Sequence, residues 1–117
     1  MVIESLRVPI VAAPMAGGPS TPELVAAVSA AGGFGQLAAG YLSVDAVADQ
    51  LAATRAATAA PFGINLFAPG PVSEPATYAN YLAELGASFP LGSPEHNTDA
   101  WAEKLDLLVA DPIAVVS

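Results

Sequence analysis

Few side chains in this sequence can carry chemistry, and their kinds narrow what that chemistry can be. There is no cysteine, which removes disulfides, thiolate metal sites and cysteine nucleophiles together. His96 is the single histidine. It sits in the polar run Ser93-Pro94-Glu95-His96-Asn97 and reads as a solvated loop residue rather than a base. Without a second histidine, a thiolate or a spaced cluster of carboxylates, no structural zinc site has a ligand set. Ser20, Ser43 and Ser117 lack the G-x-S-x-G setting of a nucleophile elbow. The glycines of Gly32-Gly33-Phe34-Gly35 precede a strand candidate instead of leading from one into a helix, so the dinucleotide fingerprint is absent, as is the Walker A pattern. Glu23 and Glu84 fall on predicted helices, and no spacing pairs two carboxylates. We therefore assign no catalytic residue and no metal ligand.

What remains is binding chemistry. Pro14-Met15-Ala16-Gly17-Gly18, Ala38-Ala39-Gly40 and Asn65-Leu66-Phe67 each lie at the end of a short apolar run. Small residues let backbone N–H groups approach a large flat ligand closely, and one amide side chain can both donate and accept. This composition suits a cofactor cradle better than an acid–base site. Each feature also has a plainer reading. Gly17-Gly18 reads first as a tight turn, and Met15 first as a core residue. Asn65 lies in an apolar setting, and a buried amide needs partners, so structural and ligand roles weigh evenly there. Gln36 presents the same question more weakly.

The elements that must position these residues follow from pattern. Val8 to Met15 is apolar and β-branched, which predicts a strand buried on both faces, as in a parallel sheet. A helix follows, started either by a Ser20–Glu23 capping box or by Thr21 with Pro22 in the first helical position; Gly32-Gly33 stops it. Phe34 to Ala38 predicts a second strand. Ser43 caps a second helix, with Val44, Val47, Ala48, Leu51 and Arg55 on one face and Thr54 largely outside it. Pro61 ends that helix, and Phe62 to Phe67 predicts a third strand. A loop rich in proline, a helix over Thr77 to Gly86 and another loop come next. Thr98 then caps a helix striped by Trp101, Leu105, Leu108 and Val109. Ile113 to Val116 predicts a fourth strand.

Strands alternating with helices at this period argue for β-α-β units and a parallel sheet. Four strands with three crossovers are half of an eight-stranded barrel, which takes roughly 250 residues when complete. The expectation is an α/β fold, the N-terminal half of a TIM-type (β/α)8 barrel, with about four parallel strands and intervening helices. Residues 1–117 would form one partial domain, with 68–98 as a loop-and-helix insertion. Active sites of such barrels collect at the C-terminal strand ends, where the three small-residue segments fall.

Composition agrees with a piece of something larger. The chain has 117 residues, three Lys or Arg against eleven Asp or Glu, and a net charge of -8. Phosphate backbones are bound by clustered cations, and Arg7, Arg55 and Lys104 are scattered, so a nucleic-acid partner is not expected; nor is a membrane surface. Hydrophobic residues make up 54% of the chain and charged ones only 12%, which excludes disorder. A mean hydropathy of +0.54 is high for a small domain, which has much surface to cover. No run of 18 apolar residues suggests a membrane span, and no basic, then apolar, N-terminus suggests a signal peptide. A cytoplasmic location is expected.

The residues also resemble a family. Pro9-Ile10-Val11-Ala12-Ala13-Pro14-Met15-Ala16-Gly17-Gly18 is similar to the opening strand and loop of the nitronate monooxygenases. The similarity continues through Ser20-Thr21-Pro22-Glu23-Leu24, Ala31-Gly32-Gly33-Phe34-Gly35, Gly40-Tyr41-Leu42-Ser43 and Pro61-Phe62-Gly63-Ile64-Asn65-Leu66-Phe67. It resumes at Trp101-Ala102-Glu103-Lys104-Leu105 and Asp111-Pro112-Ile113-Ala114-Val115-Val116-Ser117. The opening segment is shared with other FMN-dependent barrels; the ordered set is more specific. The resemblance implies an FMN enzyme that oxidises alkyl nitronates with dioxygen. It implies that Ala13, Pro14, Met15, Ala16 and Gly17 line the flavin from the first strand end, and that Asn65 contacts it from the third. The family's catalytic histidine and phosphate-binding loops lie past Ser117, and His96 does not match that histidine. The expectation is thus a fragment, inactive and weak in FMN binding on its own. Two alternatives stand beside it. One is another FMN barrel oxidoreductase of the quinone or enoyl reductase type. The other is a non-catalytic half-barrel that self-associates through exposed sheet edges.

Overall fold

The computed structural model describes residues 2–117. After a short 3-10 turn at Val2–Ser5 come α1 (Pro22–Ala30), β1 (Gln36–Ala38), α2 (Val44–Ala57) and β2 (Gly63–Asn65). A second 3-10 turn at Pro75–Thr77, α3 (Ala79–Gly86), α4 (Trp101–Ala110) and β3 (Val115–Val116) complete the order. The strands form one parallel sheet in the order β1-β2-β3, with Leu37 opposite Ile64 and Ile64 opposite Val116. The architecture is the α/β, parallel-sheet arrangement of a half-barrel.

The local signals explain most element starts. Thr21 accepts a hydrogen bond from the Leu24 N–H at 3.2 Å, with Pro22 opening the helix. Of the two starts considered for α1, Thr21 is the one used; Ser20 instead accepts from the Met15 N–H at 2.8 Å. Gly32, with φ 94°, ends α1 in the left-handed region, and the Gly33 N–H returns to the Val28 carbonyl at 3.0 Å. That is the backbone geometry glycine supplies at a helix C-terminus. The Arg7 guanidinium donates to the Ala31 carbonyl at 2.8 Å, placing a cation at the negative end of α1. Ser43 caps α2 through the Ala46 N–H at 3.2 Å.

Four expectations need correction. The run from Val8 to Met15 is not a strand buried on both faces. It makes a single parallel bridge, Val11 to Phe34, with hydrogen bonds from the Phe34 N–H to Ile10 and from the Ala12 N–H to Phe34. Pro9 and Pro14 have no N–H to extend the ladder, and the Ile10 side chain is 62% exposed. On α2 the inward face is Val47, Leu51 and Thr54, while Arg55 is exposed. Thr54 tolerates burial because its hydroxyl donates to the Gln50 carbonyl one turn back, at 2.7 Å. On α4, Val109 points outward and Lys104 points inward. Finally, Thr98 does not cap α4. The residue before the helix is Ala100, in a left-handed conformation with no side-chain cap, because the chain there is arranged around Asp99.

The core lies on one face of the sheet. Leu37 and Ala39 from β1 and its end, and Phe62, Ile64 and Leu66 along β2, pack against Val25 of α1, Val47 and Leu51 of α2, and Leu108 of α4. This is the period-two alternation of a strand with one face covered by helices. Gly35 lets α1 sit directly on the approach to β1: a Cβ there would lie 2.7 Å from the Val25 Cα. No residue of α3 is buried, and none belongs to the core cluster. Consistently, the radius of gyration is 17.7 Å, against roughly 13 Å for a compact domain of this length.

Candidate functional site

The parallel topology brings three loop starts to one end of the sheet. The bridged segment at 10–12 flanks β1 on one side and β2 on the other, so residues 13–18, 39–41 and 65–67 share the C-terminal end. Two strand spacings, roughly 10 Å in all, separate the first group from the third. The Ala39 N–H donates to the Asn65 carbonyl at 2.9 Å, tying the second group to the third.

In the first group, Ala13 is exposed and Pro14 half-buried. Met15 is 43% exposed, so it is not the core residue its plainer reading suggests; its N–H is held by the buried Ser20 hydroxyl. Ala16 and Gly17 lie in the turn over 16–19. Gly17 has φ 83° and Gly18 φ 122°, conformations that glycine takes at little cost. A Cβ at either would meet nothing within 4 Å. The turn reading and the ligand reading are therefore compatible: the glycines make the turn, and the turn presents bare backbone to open space.

Asn65 is half-buried. Its Nδ2 donates to the Ser117 carbonyl at 3.1 Å and to the Ser117 Oγ at 3.3 Å. The Ser117 hydroxyl in turn reaches the Gln36 Oε1 at 3.5 Å. Gln36, Asn65 and Ser117 thus form a polar chain across the three strands, on the face opposite the helices. Asn65 has a structural partner for its NH2 group, which leaves its Oδ1 as the atom it can offer a ligand. His96 is exposed in the loop before α4 and shares a surface cleft with Pro71, Val72 and Tyr78.

The principal feature the sequence reading misses is Lys104. Its side chain is fully buried, at 0% exposure, and its Nζ donates to the Ala39 carbonyl at 2.9 Å. The same ammonium pairs with the Asp99 Oδ2 at 2.8 Å. Asp99 Oδ1 accepts the Tyr41 N–H at 2.9 Å. A buried lysine is tolerated only with such partners. The available signal is its spacing: position 104 falls within the apolar stripe of Trp101, Leu105 and Leu108. Nothing local marks the Ala39 carbonyl, 65 residues earlier, as its partner.

Beside this pair the backbone of Gly40 passes under an aromatic ring. A Cβ on Gly40 would lie 2.4, 2.6 and 2.9 Å from three Phe67 ring atoms. Phe67 is in turn met edge-on by Tyr41, with ring centroids 5.3 Å apart and planes at 80°. Leu66 continues the ladder through its N–H to the Ser117 carbonyl and faces the core, so Phe67 falls on the Asn65 side of the sheet.

One carboxyl has a displaced titration. Glu23, on the first turn of α1, is held below the usual carboxylate range by a hydrogen bond from its own backbone and a second from the Thr21 hydroxyl. It serves the helix start, not the strand ends. Among the described residues no group of three or more His, Cys, Asp or Glu could hold a metal ion, and no helix is long and apolar enough to cross a membrane.

Comparison with known proteins gives this arrangement a context. The family model described as nitronate monooxygenase matches residues 2–117. A probable nitronate monooxygenase of Bacillus subtilis is 36% identical over 112 residues, covering 90% of this chain and 32% of the relative. One from Staphylococcus saprophyticus is 32% identical over 120 residues, covering 97% of this chain and 34% of the relative. Among solved structures, nitroalkane oxidase from Streptomyces ansochromogenes matches with a TM-score of 0.81 and 42% identity, over 98% of this chain and 34% of that one. The chain spans about a third of the length of these relatives.

Proposed function

The chain belongs to the nitronate monooxygenase family, and we propose that it supplies the first strands and one side of the flavin site of an enzyme that oxidises alkyl nitronates with dioxygen. The observation that carries this reading is the shared sheet end. There the open Gly17-Gly18 turn and the half-buried Asn65 amide lie two strands apart. FMN fits these residues on two counts. The backbone at Gly17 and Gly18 is unobstructed, so a flat ring system can approach it closely. Asn65 keeps an acceptor, Oδ1, that can meet a ring N–H.

In this assignment Ala13, Pro14, Met15, Ala16 and Gly17 line one edge of the ring and Asn65 meets it from β2. When bound, FMN supplies the redox chemistry between nitronate and dioxygen. The chain's own residues bind and orient: Ser20 fixes the Met15 amide, and Ser117 fixes the Asn65 side chain. No group at this sheet end is assigned a proton transfer, and His96 has no part in the site. The exposed edges at Ile10 and Val116 are assigned to further strands of the same barrel. The location assigned is the cytoplasm, and residues 1–117 are read as one partial domain in which 68–98 is inserted.

The test is reconstitution of the full protein with FMN, followed by oxygen consumption on adding an alkyl nitronate. The expected result is a bound flavin spectrum and nitronate-dependent oxygen uptake, both weakened when Asn65 is changed to Ala. A protein that binds no FMN and consumes no oxygen with any alkyl nitronate overturns the reading.

A further inference from the structure

Among the described residues three non-glycine residues take left-handed backbone angles: Tyr41 (φ 66°), Asp99 (φ 54°) and Ala100 (φ 50°). Left-handed backbone is costly for residues with a Cβ and persists where the surroundings enforce it. All three lie at one contact, where the loop before α4 meets the end of β1. Asp99 sits there between the Tyr41 N–H, which donates to its Oδ1, and the Lys104 ammonium, which forms an ion pair with its Oδ2. Lys104 in turn holds the Ala39 carbonyl, and the Ala39 N–H holds the Asn65 carbonyl. A continuous path of hydrogen bonds therefore runs from a buried charge on α4 to the peptide of the residue assigned to the flavin.

We propose that Lys104 and Asp99 are positioning residues for the cofactor face, fixing the shape of Ala39–Tyr41 and, through Ala39, the backbone of Asn65; this rests on the flavin reading above. Burying an ammonium at the back of a sheet end is costly unless its geometry is fully satisfied. A well-packed apolar side chain would fill the same space between α4 and the sheet. What the ammonium adds is direction: it aims the Ala39 carbonyl and orients Asp99, which locks the Tyr41 amide in its strained conformation. Between them, a side chain on Gly40 would meet the ring of Phe67. The loop is thereby held from both sides.

The experiment uses the full protein, with Lys104→Met, Asp99→Asn and, as a control for destabilisation alone, Val47→Ala, a fully buried core truncation on α2. Each is checked for folding by circular dichroism and denaturant midpoint. FMN dissociation constants are read by flavin fluorescence, and amide hydrogen exchange at Tyr41 is read on the cofactor-free protein. We expect Lys104→Met and Asp99→Asn to raise the FMN dissociation constant by about tenfold or more, the scale of one hydrogen bond to an ionised group. Exchange at Tyr41 should accelerate in both, while Val47→Ala stays near wild type in both readouts. Should Lys104→Met fail to fold, Asp99→Asn decides alone, because it keeps the shape of the side chain and an acceptor for Tyr41. Wild-type FMN affinity in the folded Lys104 and Asp99 variants overturns the proposal and leaves the flavin reading standing, as does an equal loss in Val47→Ala. A wild-type protein that binds no FMN overturns the flavin reading itself, and the positioning role with it.

Discussion

Replacing Gly40 by Ala tests the packing at the candidate site through a change of sign. The added Cβ would lie 2.4 to 2.9 Å from the Phe67 ring, well inside van der Waals contact. Either the ring swings away and loses its edge-on contact with Tyr41, about 0.5–1.5 kcal/mol, or the backbone shifts at the cost of overpacking, about 1–3 kcal/mol. Against this stands one gain. Gly40 is not among the residues with positive φ, so Ala is allowed there and restricts the unfolded chain, worth about 0.4–1 kcal/mol. In the wild-type background the balance is a net loss of about 1 kcal/mol. In a Phe67→Ala background the obstruction is gone and the same substitution should stabilise. Urea denaturation of the two single variants and the double variant, with unchanged m-values, measures the coupling directly. A Gly40→Ala cost that is the same in both backgrounds, with coupling below about 0.5 kcal/mol, would refute the close approach and the loop geometry derived from it.

Three further outcomes follow from other contacts. Lys104→Ala should lower stability by about 3–5 kcal/mol, because it leaves the Asp99 carboxylate and the Ala39 carbonyl without their buried partner; chemical denaturation reads it, and a loss under 1 kcal/mol contradicts the burial. Gly32→Ala should cost about 1–2 kcal/mol for its left-handed backbone, and more where the new Cβ meets Arg7, 2.8 Å from Nε; a thermal shift within error of wild type contradicts it. Glu23 has a folded pKa below its usual 4.5, so its contribution is present above that value and is lost as pH falls through the lower folded one. Stability profiles of wild type and Glu23→Gln should therefore converge at acid pH and separate above it, and a constant offset across the range would contradict the assignment.

The sequence alone carries the element order, because caps and stops are local. Thr21-Pro22, Ser43 and Gly32 act within a few residues of themselves, and the structure uses each of them; α2 ends at Ala57, ahead of Pro61. Small residues at strand ends are equally visible, since their meaning depends only on lying after an apolar run in a parallel fold. The first strand reads less well. The apolar run from Val8 to Met15 hides the two prolines' effect on the ladder, and the extent of burial depends on what covers Ile10. The helix faces are legible to within one position: Thr54 and Lys104 turn inward where polarity argues outward, because each finds a partner that satisfies its polar group there. Thr54 finds its own at Gln50, one turn away, a short-range solution that pattern alone does not favour. Lys104 finds Ala39, 65 residues earlier, and Asp99 finds Tyr41, 58 residues earlier. Periodicity and propensity are properties of neighbours in the chain; the meeting of a buried ammonium with one strand-end carbonyl is a property of how α4 packs on the sheet. The residue types at the C-terminal end of the sheet are thus written in the sequence, whereas the long-range contacts made there by Lys104 and Asp99 exist only in the tertiary structure.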